Sequence, residues 1–232
     1  MIVLAIDALE YEKVVEFGCP NLEQQFFGKT DISEFSQPRT MVLWSSFMTG
    51  ENKESEVLAD GDKEMWDKRW PVAQTFFSRY DNPVVLDLPG FSYDLSAHQK
   101  SRELLKKFFS ATEKDAVRKE YNEDAFAHHR KIKEQFLAAI DEDRDFVLGY
   151  FSVVDVIGHL NFGNRTLMKI LYKEMDDLAK LCASKTDRLL VLSDHGMEAI
   201  GMFGDHSTYG FWSTNWKDLG TPKITDIGEM VK

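Results

Sequence analysis

Three short runs of this sequence are apolar almost throughout: IVLAI (residues 2–6), DFVLGYFSVV (145–154) and RLLVLS (188–193), each bounded by polar residues. A strand with no polar face must be covered on both sides, which is the position of a strand in a parallel sheet sandwiched by helices. A weaker fourth run, NPVVLDLPG (82–90), ends at Pro89-Gly90. Helical spacing fills the intervals. After Asn164, which suits an N-cap, Met168, Leu171, Met175, Leu178 and Cys182 recur every three or four residues. From Thr112 onward, Val117, Tyr121, Ala125, His128, Ile132, Phe136 and Ile140 form a second, longer stripe. Strands alternating with helices predict an α/β fold: a mostly parallel central sheet with helices on both faces. The charged stretch GENKESEVLADGDKEMW (50–66) has little periodicity and reads as a surface loop or part of a cap. There is no internal repeat, heptad array or low-complexity linker.

At 232 residues, 43% hydrophobic and 29% charged, the chain suits one domain with a substantial core. The expectation is a single domain over 1–232, with residues 51–145 forming a small cap or helical insertion. A net charge of −11 argues against a nucleic-acid polymer or an anionic membrane as partner, since both require a basic surface. It leaves a phosphate substrate open, because bound metal ions reverse the sign of a site locally. Cys19 and Cys182 form no CxxC pair, and reduced thiols in a cytoplasmic protein are the simpler reading. The opening MIVLAIDALE meets Asp7 after a run too short for a signal peptide or a membrane span. No GxGxxG or P-loop follows the first strand, so nucleotide binding of those kinds is not expected.

In open α/β sheets, ligands bind outside the carboxyl ends of the strands. Three runs end there in an acid: Asp7 after IVLAI, Asp155 after GYFSVV and Asp194 after LLVLS. One such acid is an ordinary helix cap; three at one sheet edge repel one another unless a cation lies among them. Histidines accompany them. DVIGH places Asp155 and His159 four apart, on one face of a helical turn; DHG joins His195 to Asp194; GDHSTYGFWS carries His206. Carboxylate and imidazole together suit Zn²⁺ or Mn²⁺ better than Mg²⁺ or Ca²⁺. The other histidines take plainer readings: His128 packed in the core, His129 solvated beside Arg130, and His98 on the surface. Phe203, Tyr209, Phe211 and Trp212 read as packing of a last loop on the sheet, and TPKITDIGEMV as a cap followed by a short terminal helix.

PRTMVLWSSFMTG (38–50) sets Thr40 before an apolar helical run, where an N-capping threonine is the plain expectation. The same position is a candidate nucleophile. A helix N-terminus attracts anions, and a divalent metal beside the hydroxyl makes its alkoxide available near neutral pH.

These landmarks, in order, resemble the alkaline phosphatase superfamily, and within it the type I phosphodiesterase/nucleotide pyrophosphatase branch. TMVLWSSFMTG is similar to the nucleophile helix of prokaryotic, often archaeal, members, and SDHGM to the family's metal turn. The resemblance implies an alkaline phosphatase-like core with a reduced cap region and two divalent metals, zinc first and manganese second. One metal would be held by Asp155, His159 and His206. The other would be held by Asp7, Asp194, His195 and the hydroxyl of Thr40. It implies a two-step displacement through a covalent phosphothreonine, with the backbone N–H of Met41 as an additional donor to the phosphoryl oxygen. The implied substrate is a small phosphate ester or nucleotide. The segment after Thr49-Gly50 departs from the family pattern, Pro38 precedes the nucleophile instead of following it, and the family's phosphoryl-binding asparagine finds no match. In relatives a segment like TPKITDIGEMV ends the core, so the chain is expected to end there.

Two relatives fit less well. Sulfatases require a Cys or Ser at the nucleophile position, and the metal-dependent phosphoglycerate mutases carry a large second domain for which there is no room. A phosphomonoesterase, a phosphomutase-like relative and a non-catalytic metal-stabilised binding domain remain as alternatives.

Overall fold

The structure is a computed structural model that describes residues 1–231. In chain order it contains β1 (Ile2–Ile6), α1 (Tyr11–Phe17), α2 (Pro20–Glu23), β2 (Phe26–Asp31), α3 (Thr40–Thr49), α4 (Glu54–Leu58) and α5 (Gly61–Glu64). Short 3-10 turns at Met65–Asp67, Val72–Gln74 and Phe76–Arg79 lead to β3 (Pro83–Leu86), α6 (Leu95–Ser110), α7 (Lys114–Ile140), β4 (Phe146–Phe151), α8 (Val153–Asn161) and α9 (Arg165–Ala183). The chain closes with β5 (Leu189–Ser193), β6 (Met197–Ile200), β7 (Phe203–His206), β8 (Tyr209–Thr214) and α10 (Ile227–Met230).

Six strands form one sheet in the order β2-β8-β5-β1-β4-β3. Strands β5, β1, β4 and β3 run parallel, and β8 and β2 extend the sheet antiparallel. The mostly parallel α/β sheet is therefore the one expected. The apolar runs behave as a two-faced strand must. Ile2, Leu4 and Ile6 of β1 enter the core beneath α1, α7, α8 and α9, whereas Val3 and Ala5 enter the core built around α3. Nine residues of α3 are buried, so this helix lies inside the molecule with Trp44 edge-on to Tyr150 at 5.6 Å. Gly50, at φ 72°, ends it in the left-handed conformation that glycine adopts without strain.

Several local expectations are corrected. The run 145–154 is too long for a strand: β4 stops at Phe151 and α8 begins at Val153, so Asp155 sits in the first turn of α8. Residues 203–214 are β7 and β8, not a loop, and 50–66 contains α4 and α5. On α7 the buried imidazole is His129, 5% exposed, which lies edge-on to Phe151 at 5.6 Å. His128, expected in the core, instead reaches Asp87 with Nε2 2.6 Å from Oδ2. Asn164 caps α9 as expected, accepting from the Leu167 N–H. Cys19 and Cys182 are free and buried. Among the described residues, no helix is long and apolar enough to cross a membrane.

Candidate metal centre and nucleophile

The carboxyl ends of β1, β4 and β5 lie side by side because β1 pairs with both neighbours in parallel. Asp7 therefore follows β1 next to Asp194, which follows β5. The short connection from β4 into α8 swings Asp155 and His159 over the same edge, and the β6–β7 hairpin returns His206 to it. All seven residues singled out from the sequence as ligands converge here. The ligand atoms of Asp155, His159 and His206 lie within 4.8 Å of one another, and so do those of Asp7, Asp155 and His195. Asp155 belongs to both groups. Asp194 approaches from the buried side, with Oδ2 3.5 Å from His195 Nε2.

The two groups differ in exposure. Asp194 and His195 are fully buried, whereas the His159 and His206 side chains keep 24% and 30% of their surface, which leaves the outer group open to solvent. His159 Nε2 and His206 Nε2 stand 3.2 and 3.4 Å from Asp155 Oδ1. The ring of His195 stacks on that of His206 with centroids 3.7 Å apart.

Whether these residues fit a cation is decided by their unmet bonding. Asp7 Oδ1, Asp155 Oδ1 and both oxygens of Asp194 are buried without a hydrogen-bond partner, and they are the only such carboxylate oxygens among the described residues. An unpaired buried carboxylate costs several kcal/mol, so four such oxygens facing three imidazoles call for positive charge. The imidazoles are oriented to match. His195 Nδ1 is 3.0 Å from the Gly196 carbonyl and His159 Nδ1 is 3.4 Å from the Gly204 carbonyl, so each Nδ1–H donates and each Nε2 faces the acids.

The ionisation pattern agrees. Burial, with the charge of Asp155 added, pushes Asp7 up to about 7, although Tyr150 donates its hydroxyl to Asp7 Oδ2. Burial and the neighbouring Asp7 hold Asp194 well above the usual carboxylate range. The Asp155 carboxylate raises His159 to about 9. Burial opposes the charged forms of Asp155 and His206, but pairing outweighs it: His159 first and then His206 lower the acid, and Asp155 raises the His206 imidazole. His195 is lowered to about 3 by burial and by the neighbouring His206. His159, His206 and the inner carboxyls all hold protons more tightly than usual, as groups crowded with negative charge do.

Thr40 is not an N-cap. Arg39 takes that position and Thr40 is the first residue of α3, its Oγ1 3.4 Å from His195 Nε2. The first i to i−4 bond of the helix is Leu43 N–H to Arg39 O, so the amides before it, Met41 among them, have no partner within the helix. Thr40 lines a cavity of about 290 Å³, together with Asp7, Asp155, His159 and His206 on one side. The opposite wall carries Trp66, Tyr93, His98 and Arg102. His98, read from the sequence as a surface residue, is half-buried in this wall; it lies against Trp66 with centroids 3.9 Å apart and is lowered to about 4, first by burial and then by Arg102. Reading the sequence missed this wall, and it missed Tyr150 and Glu10. The one available signal was the polar-tipped Tyr150 inside an apolar strand, which the β1–β4 register sets opposite Ala5, two residues before Asp7.

The fold is shared with structures of low sequence identity. The TAB5 alkaline phosphatase, in a mutant with Mg bound in its M3 site, is 12% identical with a TM-score of 0.52, over 99% of this chain and 95% of that one. Murine ectonucleotide pyrophosphatase/phosphodiesterase 5, in an inactive form in complex with AMP, is 12% identical with a TM-score of 0.50, over 87% of this chain. This chain spans only 58% of that protein's length. No curated protein gives a significant sequence match. The model of the type I phosphodiesterase / nucleotide pyrophosphatase family, however, matches residues 37–211, a stretch that includes Thr40, Asp155, His159, Asp194, His195 and His206. The chain belongs to the type I phosphodiesterase / nucleotide pyrophosphatase family.

Proposed function

We propose that this protein is a phosphoric ester hydrolase that uses two divalent metal ions and Thr40 as nucleophile, acting on a small phosphodiester or nucleotide. The observation that carries this reading is the placement of the Thr40 hydroxyl, at the N-terminus of a buried helix, 3.4 Å from His195 and beside the unpartnered oxygens of Asp7, Asp155 and Asp194. Asp155, His159 and His206 would hold the outer ion; Asp7, Asp194, His195 and Thr40 Oγ1 would hold the inner one, with Asp155 between them. Zinc fits this mixed nitrogen and oxygen donor set best, and manganese second. When bound, the ions supply Lewis acidity, which favours the deprotonated threonine and offsets charge on the phosphoryl and leaving oxygens.

The chain's own part follows from position. Thr40 Oγ1 attacks phosphorus in line, the bond from phosphorus to one leaving oxygen breaks and that group departs as its alcohol or phosphate, and a threonyl phosphate ester that keeps the substrate's other substituent forms on α3. Water then cleaves that ester and restores the hydroxyl. The free first-turn amides of α3, including Met41 N–H, donate to the phosphoryl oxygens, where the helix dipole also favours negative charge. Gly196 and Gly204 hold the His195 and His159 rings in place through their carbonyls. Arg102 makes no ion pair or hydrogen bond among the described residues and lines the cavity, which suits it to receive the substrate's anionic part. Trp66, Tyr93 and His98 give that wall a flat aromatic surface.

The test is hydrolysis of bis(p-nitrophenyl) phosphate and p-nitrophenyl phosphate by the protein with Zn²⁺ or Mn²⁺, by a chelated sample, and by Thr40→Ala. Metal-dependent release lost in Thr40→Ala is expected, with the diester preferred. Faster release from the monoester would move the assignment to a phosphomonoesterase. Failure to bind metal would overturn the reading.

A further inference from the structure

Glu10 lies three residues beyond Asp7, is 4% exposed, and has no cation as partner among the described residues. Its carboxylate instead accepts hydrogen bonds from donors far along the chain. Oε2 accepts from Met197 N–H at 3.0 Å and from the Ser207 hydroxyl at 3.1 Å. Oε1 accepts from the Tyr209 hydroxyl and from Glu12 N–H. Met197 is two residues after His195, and Ser207 directly follows His206. One carboxylate thus joins the loop bearing Asp7 to the turns bearing His195 and His206.

The surroundings are shaped for that contact. Ala8, fully buried, adopts φ 56°, a conformation L-residues avoid, and it turns the chain so that Leu9 and Glu10 face β5. Leu9 N–H donates to Ser193 Oγ at 2.8 Å, and the same hydroxyl donates to His195 O at 2.7 Å. Glu10 N–H donates to the Tyr172 hydroxyl at 2.9 Å, which fixes the loop from beneath. Gly196 leaves the space. A Cβ there would lie 2.2 Å from Glu10 Oε2 and 2.6 Å from Ser207 Oγ. The Asp194-His195-Gly196 sequence thereby acquires a reason for its glycine: the ligand turn must let a carboxylate in behind it.

We infer that Glu10 is a positioning residue that holds the His195 and His206 ligand turns in register with Asp7, and so sets the metal affinity of the centre. It touches neither substrate nor ion and acts only through the turns it binds. The inference rests on the two-metal reading above. Outer partners of metal ligands commonly change affinity by about 10–100-fold when removed.

The experiment is zinc titration of the metal-stripped full-length protein against a chromophoric chelator, with thermal unfolding recorded on the same samples. Glu10→Gln and Glu10→Ala are compared with Ser207→Ala, which removes one of the four hydrogen bonds. Asp176→Asn serves as the control. Asp176 is as deeply buried, 5% exposed, and accepts from Asn21 and Leu22 N–H groups, but it touches no ligand turn. The expected result is zinc affinity lower by about 10–100-fold in Glu10→Ala, with smaller losses in Glu10→Gln and Ser207→Ala. Asp176→Asn should lose thermal stability and keep its affinity. If Glu10→Ala does not fold, the Ser207→Ala and Glu10→Gln affinities decide. Wild-type affinity in every folded Glu10 and Ser207 variant overturns the positioning role alone. A wild-type protein that binds no zinc overturns the two-metal reading and the inference together.

Discussion

Thr40 Oγ1 stands 3.4 Å from His195 Nε2, two side chains 155 residues apart in sequence and brought together by the parallel sheet. The contact joins the N-terminus of a buried helix to the turn after a central strand. The same Nε2 stands 3.3 Å from Asp7 Oδ1 and 3.5 Å from Asp194 Oδ2, so His195 links the hydroxyl to both carboxyls.

Removing the hydroxyl should separate chemistry from metal binding. Thr40→Ala is expected to lower kcat by about 10³-fold or more, as loss of a nucleophile does. The outer group of Asp155, His159 and His206 contains no Thr40 atom, so at least one zinc per chain should remain. Steady-state kinetics alongside elemental analysis of the dialysed protein checks both halves.

Asp194→Asn should act oppositely on the two forms of the protein. It withdraws a ligand from the inner group, and zinc affinity there should fall by about 100-fold or more. It also removes a buried carboxyl whose ionisation is disfavoured by burial and by Asp7, so the metal-free variant should unfold at a higher temperature than the metal-free wild type at pH 8. Calorimetry with and without chelator gives both values.

The pH dependence of the metal-free fold has a defined sign. Asp7, raised to about 7, and His159, raised to about 9, both hold protons in the folded state that the unfolded chain releases sooner. Their stabilisation is complete below the unfolded values, about 4 for a carboxyl and 6.5 for an imidazole, and is lost as pH rises through 7 and then 9. The lowered Asp155 acts against this where carboxyls titrate, below about pH 4, and the lowered His195 and His98 act against it up to about pH 6.5, where the unfolded imidazoles lose their protons. The Tm of chelated protein should therefore fall between pH 7 and pH 9, above the range in which the lowered imidazoles contribute. Zinc-loaded protein should show a flatter profile, since bound ions replace those protons.

Arg102→Ala tests the cavity wall. Arg102 faces the pocket without an ion-pair partner among the described residues, and binding an anionic group equally in ground and transition states affects KM alone. KM for a nucleotide substrate should rise by about tenfold, the value of one charge-assisted hydrogen bond, with kcat little changed. A proportionate loss in kcat would place Arg102 at the transferring phosphoryl group.

Much of this was legible in the sequence. IVLAI and RLLVLS announced strands covered on both faces, because only a sheet sandwiched by helices accepts a strand with no polar side. Asp7 and Asp194 announced a ligand edge because parallel strands bring their carboxyl ends together. The i, i+4 spacing of Asp155 and His159 held as a turn of α8 even though the strand before it ended earlier than the apolar run suggested. What failed depended on distant partners. FFGKTD is a strand because β8 lies alongside, with Phe26 opposite Thr214. His128 and His129 differ by one step of a 27-residue helix, and contact with Phe151 decides which ring is buried. Glu10 carries no motif; its partners Met197, Ser207 and Tyr209 lie between 187 and 199 residues away. Local pattern alone marked the central strands, the long helices and the acids and histidines that gather at one sheet edge, because burial and helical spacing are written in near neighbours. The tertiary structure alone decided which antiparallel strands complete the sheet, which histidine turns inward and which carboxylate bonds to Met197, Ser207 and Tyr209, because those depend on surfaces that meet only once the chain has folded.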